Sequence, residues 1–216
     1  MLGVIGDPVA HTASPAMHNA ALAATGLDYV YAAFHVAPAA LPEALAGIRA
    51  LEFAGLNVTV PHKQSALEML TAIGEVDDVA RRIGAVNTVV VGDDGRLRGS
   101  NTDAFGFMEN IRDRAPDWQA DAGPVVLLGA GGAARAIIVA LLDAGVPEIR
   151  LSNRSRDRAE ALALEFGNTL TVSDWQHRAD ILADANGLVN STSLGMTGQP
   201  PLDIDLERLP DGALVS

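Results

Sequence analysis

Small residues recur at fixed spacing between positions 129 and 134, directly after an apolar run. Gly129, Gly131 and Ala134 follow a predicted strand and open a predicted helix, in a G-x-G-x-x-A pattern. The glycines permit a tight turn and a close approach of a pyrophosphate, and a small third residue permits close helix–strand packing. The N-terminus of the helix would supply N–H groups and a positive dipole. We predict a dinucleotide-binding turn; the alternative is a glycine-rich turn that binds nothing.

The end of the next predicted strand indicates which dinucleotide would bind. An NAD site usually has Asp or Glu there, about 20 residues after the glycines, to hold the ribose 2′-hydroxyl. This strand ends with Asn153, Arg154 and Ser155, and Arg158 follows one helical turn later. Arginine pairs bidentately with phosphate, so these residues favour the 2′-phosphate of NADP. In the competing interpretation, Arg156 and Arg158 are solvated helix residues paired with Asp157 and Glu160. This interpretation is reasonable for Arg156 and weaker for Arg154, which lies on the loop at the end of the strand.

Two hydroxyl residues precede the first predicted helix. Thr12 and Ser14 are two positions apart, and Pro15 follows at a position typical of the first helical residue. Hydroxyl groups beside a helix N-terminus can hold a carboxylate. Ser14 is also a favourable N-cap, so this motif alone leaves anion binding and helix capping as equal alternatives.

A lysine follows the third predicted strand. Asn57 and Thr59 share one face of that strand, and Lys63 lies in the first turn of the next helix. A cation there opposes the helix dipole, so a purely structural role is slightly disfavoured and proton transfer is a candidate role. In isolation, a solvated lysine is the default interpretation.

Amide and carboxylate side chains stand at two later junctions. Asn87 and Asn101 lie between predicted loops and strands, and Asp103 is placed to cap a helix. Asp103 could equally pair with Lys63 across a cleft. Such a pair could move a hydroxyl proton while hydride moves to or from the adjacent carbon. The sequence leaves open which of the two residues holds the proton.

Alternating strands and helices must position these residues. In the first half, strands are predicted at residues 2–5, 29–34 and 56–60, a hairpin at 86–91 and 96–99, and helices at 14–25, 41–51, from 61, and from 103 to about 114. In the second half, strands are predicted at 125–128, 148–151, 169–172, 188–190 and 213–215, and helices at 133–144 and 156–166. This alternation is typical of an α/β fold with parallel strands covered on both faces.

Two domains with a cleft between them are predicted. Residues 1–103 would form an α/β substrate-binding catalytic domain, and residues 104–216 a Rossmann-like, doubly wound NADP domain. The polar stretch at residues 115–124 is the best candidate linker. The sequence stops directly on a predicted strand, so we expect the second domain to continue beyond Ser216.

Composition excludes several classes of function. The 216 residues include no cysteine, which excludes disulfides, Fe–S clusters, zinc–thiolate sites and cysteine nucleophiles. A formal net charge of −12 makes nucleic acid and anionic membranes poor partners. The five histidines lack metal-ligand spacing, and no signal peptide or membrane-length apolar run is present. We expect a cytoplasmic protein that binds a small molecule and no metal, as a monomer or homodimer.

Seven ordered motifs together resemble the shikimate dehydrogenase family over essentially the whole chain. They read GxPxxHSxSPxxHN, NVTxPxK, GAVNT, NTD, GAGGAxRA, NR(S/T)xxRA and NxTxxGM in the family, and lie here at residues 6–19, 57–63, 84–88, 101–103, 129–136, 153–159 and 190–196. The resemblance implies reversible, NADPH-dependent reduction of 3-dehydroshikimate to shikimate, a step of aromatic amino acid (chorismate) biosynthesis.

The resemblance also implies roles for individual residues. The implied catalytic pair is Lys63 and Asp103. The implied carboxylate ligands are Thr12 and Ser14, and the implied ring-hydroxyl contacts are Thr59, Asn87 and Asn101. The implied pyrophosphate-binding residues are Gly129, Ala130, Gly131, Gly132, Ala133 and Ala134. The implied ribose-phosphate ligands are Asn153, Arg154, Ser155 and Arg158, and Thr192 and Met196 would lie by the nicotinamide.

The chain departs from the family pattern in two ways. The family usually has serine where this chain has Thr12, and the added methyl could alter discrimination between shikimate and quinate. The family also continues for several dozen residues after Ser216, with a glutamine that contacts substrate. The alternatives are a quinate/shikimate or aminoshikimate dehydrogenase of the same family, or a catalytically silent NADP-binding module. Arg154 and Arg158 disfavour the NAD-preferring members.

Overall fold

The computed structural model describes all 216 residues and divides them into two compact units, Met1–Thr102 and Asp103–Ser216. The predicted linker at residues 115–124 is wrong, because this segment lies within the second unit. Trp118 packs against the apolar core of that unit, and its Nε1 donates a 3.0 Å hydrogen bond to the carbonyl oxygen of Asn186. The polar segment is therefore a surface loop anchored by an aromatic side chain.

Six strands and four α-helices form the first unit. The strands are β1 (Leu2–Gly6), β2 (Tyr31–His35), β3 (Gly55–Val58), β4 (Glu75–Val76), β5 (Thr88–Val91) and β6 (Leu97–Ser100). The helices are α1 (Ser14–Thr25), α2 (Leu41–Ala50), α3 (Lys63–Ile73) and α4 (Asp78–Ile83). The hydrophobic pattern does not predict β4 or α4, because neither is long enough to show a period. Asp77 caps α4 by accepting a 2.6 Å hydrogen bond from the Ala80 N–H.

The first sheet is mixed, with the strand order β2-β1-β3-β5-β6-β4. β1 runs parallel to β2 and β3, whereas β5 is antiparallel to β3 and β6. The predicted hairpin is confirmed as β5 and β6, and the Gly95 N–H donates a 2.8 Å hydrogen bond to the Gly92 carbonyl in their turn. The hairpin makes this sheet mixed, because so short a connection can join only antiparallel strands.

Two helices cover the core of the first unit. Leu41, Leu45 and Ile48 recur at helical spacing on α2, and all three are buried. They belong to an apolar cluster that also includes residues of the sheet and of α3, namely Ile5, Leu56, Val58, Leu70, Val89 and Leu97.

The third helix begins at Lys63 instead of Pro61. A turn precedes it, in which the His62 N–H donates a 2.9 Å hydrogen bond to the Thr59 carbonyl.

Three α-helices and five strands form the second unit. The helices are α5 (Asp103–Arg114), α6 (Gly132–Asp143) and α7 (Arg156–Phe166). The strands are β7 (Val125–Leu128), β8 (Ile149–Asn153), β9 (Leu170–Asp174), β10 (Gly187–Asn190) and β11 (Leu214–Val215). The longest helices of the whole chain have 12 residues, and none has the length and apolar character that crossing a bilayer requires.

The second sheet is entirely parallel, with the strand order β9-β8-β7-β10-β11. Counted along this unit the order is 3-2-1-4-5, which is that of doubly wound dinucleotide-binding sheets. The central strand β7 is buried at every position, as a strand covered on both faces must be. The predicted α/β fold with a Rossmann-like half is confirmed. In such sheets ligands bind where the strand order reverses, which here is between β7 and β10.

Candidate active site

One edge of the first sheet carries the predicted ring-acid residues. Ile5 pairs with Val58, so β1 and β3 end side by side. Because β5 runs antiparallel to β3, its first residue Thr88 lies at the same edge, opposite Asn57. Ser100, the last residue of β6, pairs with Thr88 and ends there too. The segments that leave the sheet at this edge carry Thr12, Ser14, Thr59, Lys63, Asn87 and Asn101.

Thr12 and Ser14 form a hydroxyl pair at the start of α1. The Thr12 hydroxyl donates a 3.0 Å hydrogen bond to Ser14 Oγ, and Thr12 Oγ1 accepts a 3.2 Å hydrogen bond from the Ser14 N–H. Ala13 occupies the N-cap position, and no side chain caps the helix. The capping alternative for Ser14 is therefore wrong. The two hydroxyls are half-buried and lie where the helix dipole favours an anion.

Asn87 and Asn101 are buried and join neighbouring loops at this edge. Asn101 Nδ2 donates a 2.9 Å hydrogen bond to the Ala85 carbonyl. Asn87 Oδ1 accepts from the Thr102 N–H at 3.1 Å, and Asn87 Nδ2 donates to Thr102 Oγ1 at 3.1 Å. The two amides therefore fix the segment that leads from β6 into α5.

Lys63 is the first residue of α3, in the first turn as predicted, and is half-buried. Its carbonyl accepts a 2.9 Å hydrogen bond from the Val86 N–H, which ties the start of α3 to the segment before Asn87. The preceding His62 is 1% exposed, with Nε2 at 2.7 Å from the Val36 carbonyl oxygen. Because a carbonyl only accepts, this nitrogen carries a proton. The sequence offers no sign of this anchor, since His62 and Val36 are far apart along the chain.

Asp103 is half-buried and is the first residue of α5. The prediction that Asp103 is the N-cap is therefore wrong by one position, because Asp103 is already helical. The preceding residue, Thr102, is held by Asn87, so the buried amide fixes the backbone immediately before Asp103. Lys63 and Asp103 belong to different compact units, and their action as a proton-transfer pair stays a prediction.

The glycine-rich turn after β7 has the geometry of a phosphate cradle. Gly129 has a φ of +105°, and a Cβ there would lie 2.6 Å from Ser191 Oγ, so the turn requires glycine. A Cβ at Gly131 or Gly132 would meet open space. Gly131 is the N-cap of α6, and no side chain caps this helix. The first N–H groups of α6 are therefore available to an anion.

Two arginines after β8 have no carboxylate partner. Arg154 and Arg158 are exposed and make no ion pair. Arg156 is different, because it donates 2.7 Å hydrogen bonds to both Glu160 and Asp174. These two hydrogen bonds raise the pKa of the Arg156 guanidinium above its usual value, and the bond to Asp174 has the larger effect. The interpretation of Arg156 as an ion-paired helix residue is confirmed.

The small polar residues beside these arginines shape the same loop. Asn153 Nδ2 donates a 2.8 Å hydrogen bond to the Ser155 carbonyl and so closes the turn between β8 and α7. Ser155 is the N-cap of α7, yet its hydroxyl makes no capping hydrogen bond. The loop therefore presents uncapped N–H groups, a hydroxyl and two guanidinium groups, which suit a phosphate.

The loop after β10 lies on the other side of the point where the strand order of the second sheet reverses. Asn190 Oδ1 accepts hydrogen bonds from the N–H and the hydroxyl of Thr192 at 3.0 and 2.6 Å, and Asn190 Nδ2 donates to the Leu194 carbonyl at 3.0 Å. Thr192 is half-buried, whereas Met196 is 63% exposed. The family resemblance implies that Thr192 and Met196 lie by the nicotinamide, which stays a prediction, and it gives no sign that Asn190 organises their loop.

Two family profiles match the chain. Residues 4–89 match the shikimate dehydrogenase substrate binding domain, and residues 113–196 match shikimate / quinate 5-dehydrogenase. The two matched segments fall in the first and second compact units, respectively.

Individual relatives match nearly the whole chain. A shikimate dehydrogenase (NADP(+)) of Paramagnetospirillum magneticum is 50% identical, with 100% of this chain and 77% of the relative covered. A solved shikimate 5-dehydrogenase from Thermus thermophilus, in complex with NADP(H) and shikimate, is 40% identical with a TM-score of 0.84, and 99% of this chain and 76% of that chain are covered. A solved quinate dehydrogenase from Corynebacterium glutamicum, in complex with NAD, is 33% identical with a TM-score of 0.90, and 99% and 78% are covered. The chain therefore belongs to the shikimate dehydrogenase family.

Proposed function

We propose that the chain is an NADP-dependent shikimate dehydrogenase that reversibly reduces 3-dehydroshikimate to shikimate in aromatic amino acid biosynthesis. The observation that carries the proposal is 50% identity, over all 216 residues, to a relative named for this activity and this cofactor. Residues 1–103 would bind the ring acid and residues 104–216 would bind NADP.

The turn after β7 and the loop after β8 fit NADP. Residues 129–134 would hold the pyrophosphate, because the turn has open space at Gly131 and an uncapped helix behind it. Asn153, Arg154, Ser155 and Arg158 would hold the 2′-phosphate, and Thr192 and Met196 would flank the nicotinamide. Bound NADPH would supply the hydride for the carbonyl carbon of the substrate.

The edge of the first sheet supplies the groups that a hydroxylated ring acid needs. Ser14 would donate a hydrogen bond to its carboxylate, and Thr12 would do so by turning its proton away from Ser14 Oγ. The N-terminus of α1 also favours the carboxylate. Thr59, Asn87 and Asn101 would bind ring hydroxyls. Because several directed hydrogen bonds are required, a compound lacking one hydroxyl should bind poorly.

Lys63 and Asp103 would transfer the proton that accompanies hydride transfer. During reduction the pair would donate a proton to the carbonyl oxygen, and during oxidation it would accept the proton of the ring hydroxyl. Lys63 is the only lysine of the chain, so an amine-directed reagent would modify this side chain and the N-terminal amine alone.

The activity is tested by following nicotinamide absorbance with shikimate or quinate, each with NADP or NAD. We expect shikimate with NADP to give the highest kcat/KM. Replacing shikimate by quinate, or NADP by NAD, should lower kcat/KM by at least about tenfold, in the second case because the two loop arginines favour a phosphate. A preference for quinate with NAD would instead assign the chain to the quinate dehydrogenases. Binding of NADP without turnover of either acid would support a silent nucleotide-binding module.

A further inference from the structure

Two residues of the first motif, His18 and Asn19, have no role in the proposed reaction, and both contact Tyr31 at the start of β2. The rings of His18 and Tyr31 stack with centroids 4.2 Å apart. Asn19 Oδ1 accepts from the Tyr31 N–H at 2.9 Å, and Asn19 Nδ2 donates to the Tyr31 carbonyl at 2.8 Å. Because β2 is an edge strand, Asn19 takes the place of a neighbouring strand. Tyr31 is therefore held at both its ring and its backbone.

The Tyr31 hydroxyl is hydrogen-bonded to Asn57, whose orientation follows from all of its partners. Tyr31 is 4% exposed, and its hydroxyl donates a 2.6 Å hydrogen bond to Asn57 Oδ1. The other end of the Asn57 amide lies 3.3 Å from the Asn87 carbonyl oxygen and 3.2 Å from Thr88 Oγ1. A carbonyl oxygen only accepts, so the nitrogen of Asn57 must face it. The oxygen of Asn57 consequently faces Tyr31, and the phenol must donate.

The same direction continues from Asn57 to Asn87. Thr88 Oγ1 accepts from Asn57, so its own proton is donated to Asn87 Oδ1 at 2.9 Å. Asn87 Oδ1 also accepts from the Thr102 N–H at 3.1 Å, and a backbone N–H can only donate. The nitrogen of Asn87 therefore faces Thr102 Oγ1. The hydrogen bonds run in one direction from Tyr31 to Asn87.

We propose that Tyr31 is a positioning residue that, through Asn57 and Thr88, holds in place the Asn87 carboxamide, a proposed ligand of the ring acid. This inference rests on the proposed function, because it takes Asn87 as a substrate ligand. Burial raises the pKa of Tyr31 to about 12, so the phenol stays a donor throughout the neutral pH range. Without the phenol hydroxyl, Asn57 Oδ1 loses its hydrogen-bond partner, and the hydrogen bonds from Asn57 to Thr88 and from Thr88 to Asn87 lose the anchor at their start.

Tyr31→Phe is the first test, because it removes the hydroxyl and keeps the ring that stacks on His18. We expect the KM for shikimate to rise about five- to twentyfold, the effect of one misplaced hydrogen bond, with kcat within about twofold and the KM for NADP unchanged. The matched control is Tyr29→Phe. Tyr29 is the only other tyrosine, is 44% exposed, and should give unaltered kinetics.

Variants of Thr88 separate positioning from a loss of structure, and they remain informative if Tyr31→Phe does not fold. Thr88→Val breaks the next link and should raise the KM for shikimate to a similar extent, whereas Thr88→Ser keeps the hydroxyl and should stay near the unaltered value. In the Thr88→Val background, Tyr31→Phe should add less than about twofold, because the link is already broken.

Each outcome has a distinct meaning. An unaltered KM in Tyr31→Phe, or multiplicative effects of Tyr31→Phe and Thr88→Val, would overturn the positioning role while shikimate turnover by the unaltered chain upholds the proposed function. Absence of shikimate turnover in the unaltered chain would instead refute the proposed function itself.

Discussion

Two glycines of the turn after β7 have separable physical roles. Gly129 has a positive φ and no room for a Cβ beside Ser191, so it serves the fold of the turn. Gly131 has an ordinary φ of −97° and open space around it, so it serves the approach of a ligand. A single methyl group added at each position distinguishes the two roles.

We predict that Gly129→Ala lowers the free energy of unfolding by about 1–3 kcal/mol, because the backbone is strained and the methyl group meets Ser191. Gly131→Ala should change it by less than about 0.5 kcal/mol and still weaken NADP binding by at least about tenfold. Urea unfolding and fluorescence titration with NADPH measure the two effects. Full NADP affinity in Gly131→Ala would show that the pyrophosphate does not approach this residue.

Tyr31 also affects stability at alkaline pH. Burial raises its pKa from 10.0 to about 12, so the folded chain holds the phenol proton more tightly than the unfolded chain. This contribution is fully present below pH 10 and is lost as the pH rises towards 12. Over that window we expect the unaltered chain to lose about 1–2 kcal/mol more stability than Tyr31→Phe. Urea unfolding at a series of alkaline pH values measures the loss. An equal decrease in the free energy of unfolding with pH in the two proteins would contradict the prediction.

At the scale of elements, the loop between β8 and α7 should determine cofactor choice. Charged hydrogen bonds are worth about 1.5–3 kcal/mol, so we predict that Arg154→Ala or Arg158→Ala raises the Kd for NADP about 10- to 100-fold and leaves that for NAD within about twofold. Arg156→Ala is the matched control, because its guanidinium pairs with Glu160 and Asp174 on the surface. An equal loss of NADP and NAD affinity in the Arg154 and Arg158 variants would rule out contact with the 2′-phosphate.

Most elements could be predicted because their signals are local. Pro15, the helical spacing on α2 and the glycine-containing turn between β5 and β6 act within a few residues. The elements β4 and α4 are too short for a period, and the anchoring of Trp118 depends on a partner far along the chain. Local pattern therefore predicts long helices and strands better than it predicts loops.

The candidate site divides in the same way. Lys63 and the turn after β7 could be placed from the sequence, because each follows directly from a strand–helix junction. The path from Tyr31 through Asn57 to Asn87 could not. It depends on strand register, which brings together residues that are 26 to 31 positions apart. Hydrogen-bond direction along such a path follows only from three-dimensional partners.

The whole molecule is acidic although both proposed ligands are anions. Its formal net charge is −12, and several arginines, including Arg98 and Arg150, are neutralised by carboxylates within the chain. Arg154 and Arg158 make no ion pair. Lys63, the sole lysine, lies on a segment that leaves the first sheet at the edge where the proposed ring-acid residues lie. We therefore attribute anion binding to a few placed cations, hydroxyls and helix N-termini and not to a general positive field.

The most direct test of this account is the rate at which NADPH is consumed with 3-dehydroshikimate by the unaltered chain and by Lys63→Ala, with NADPH affinity measured in parallel. The account predicts consumption by the unaltered chain, a loss of at least about 100-fold in Lys63→Ala, and equal NADPH affinity, because Lys63 handles the proton and belongs to the other unit. Equal rates in the two proteins, or no consumption by an unaltered chain that binds both ligands, would contradict it.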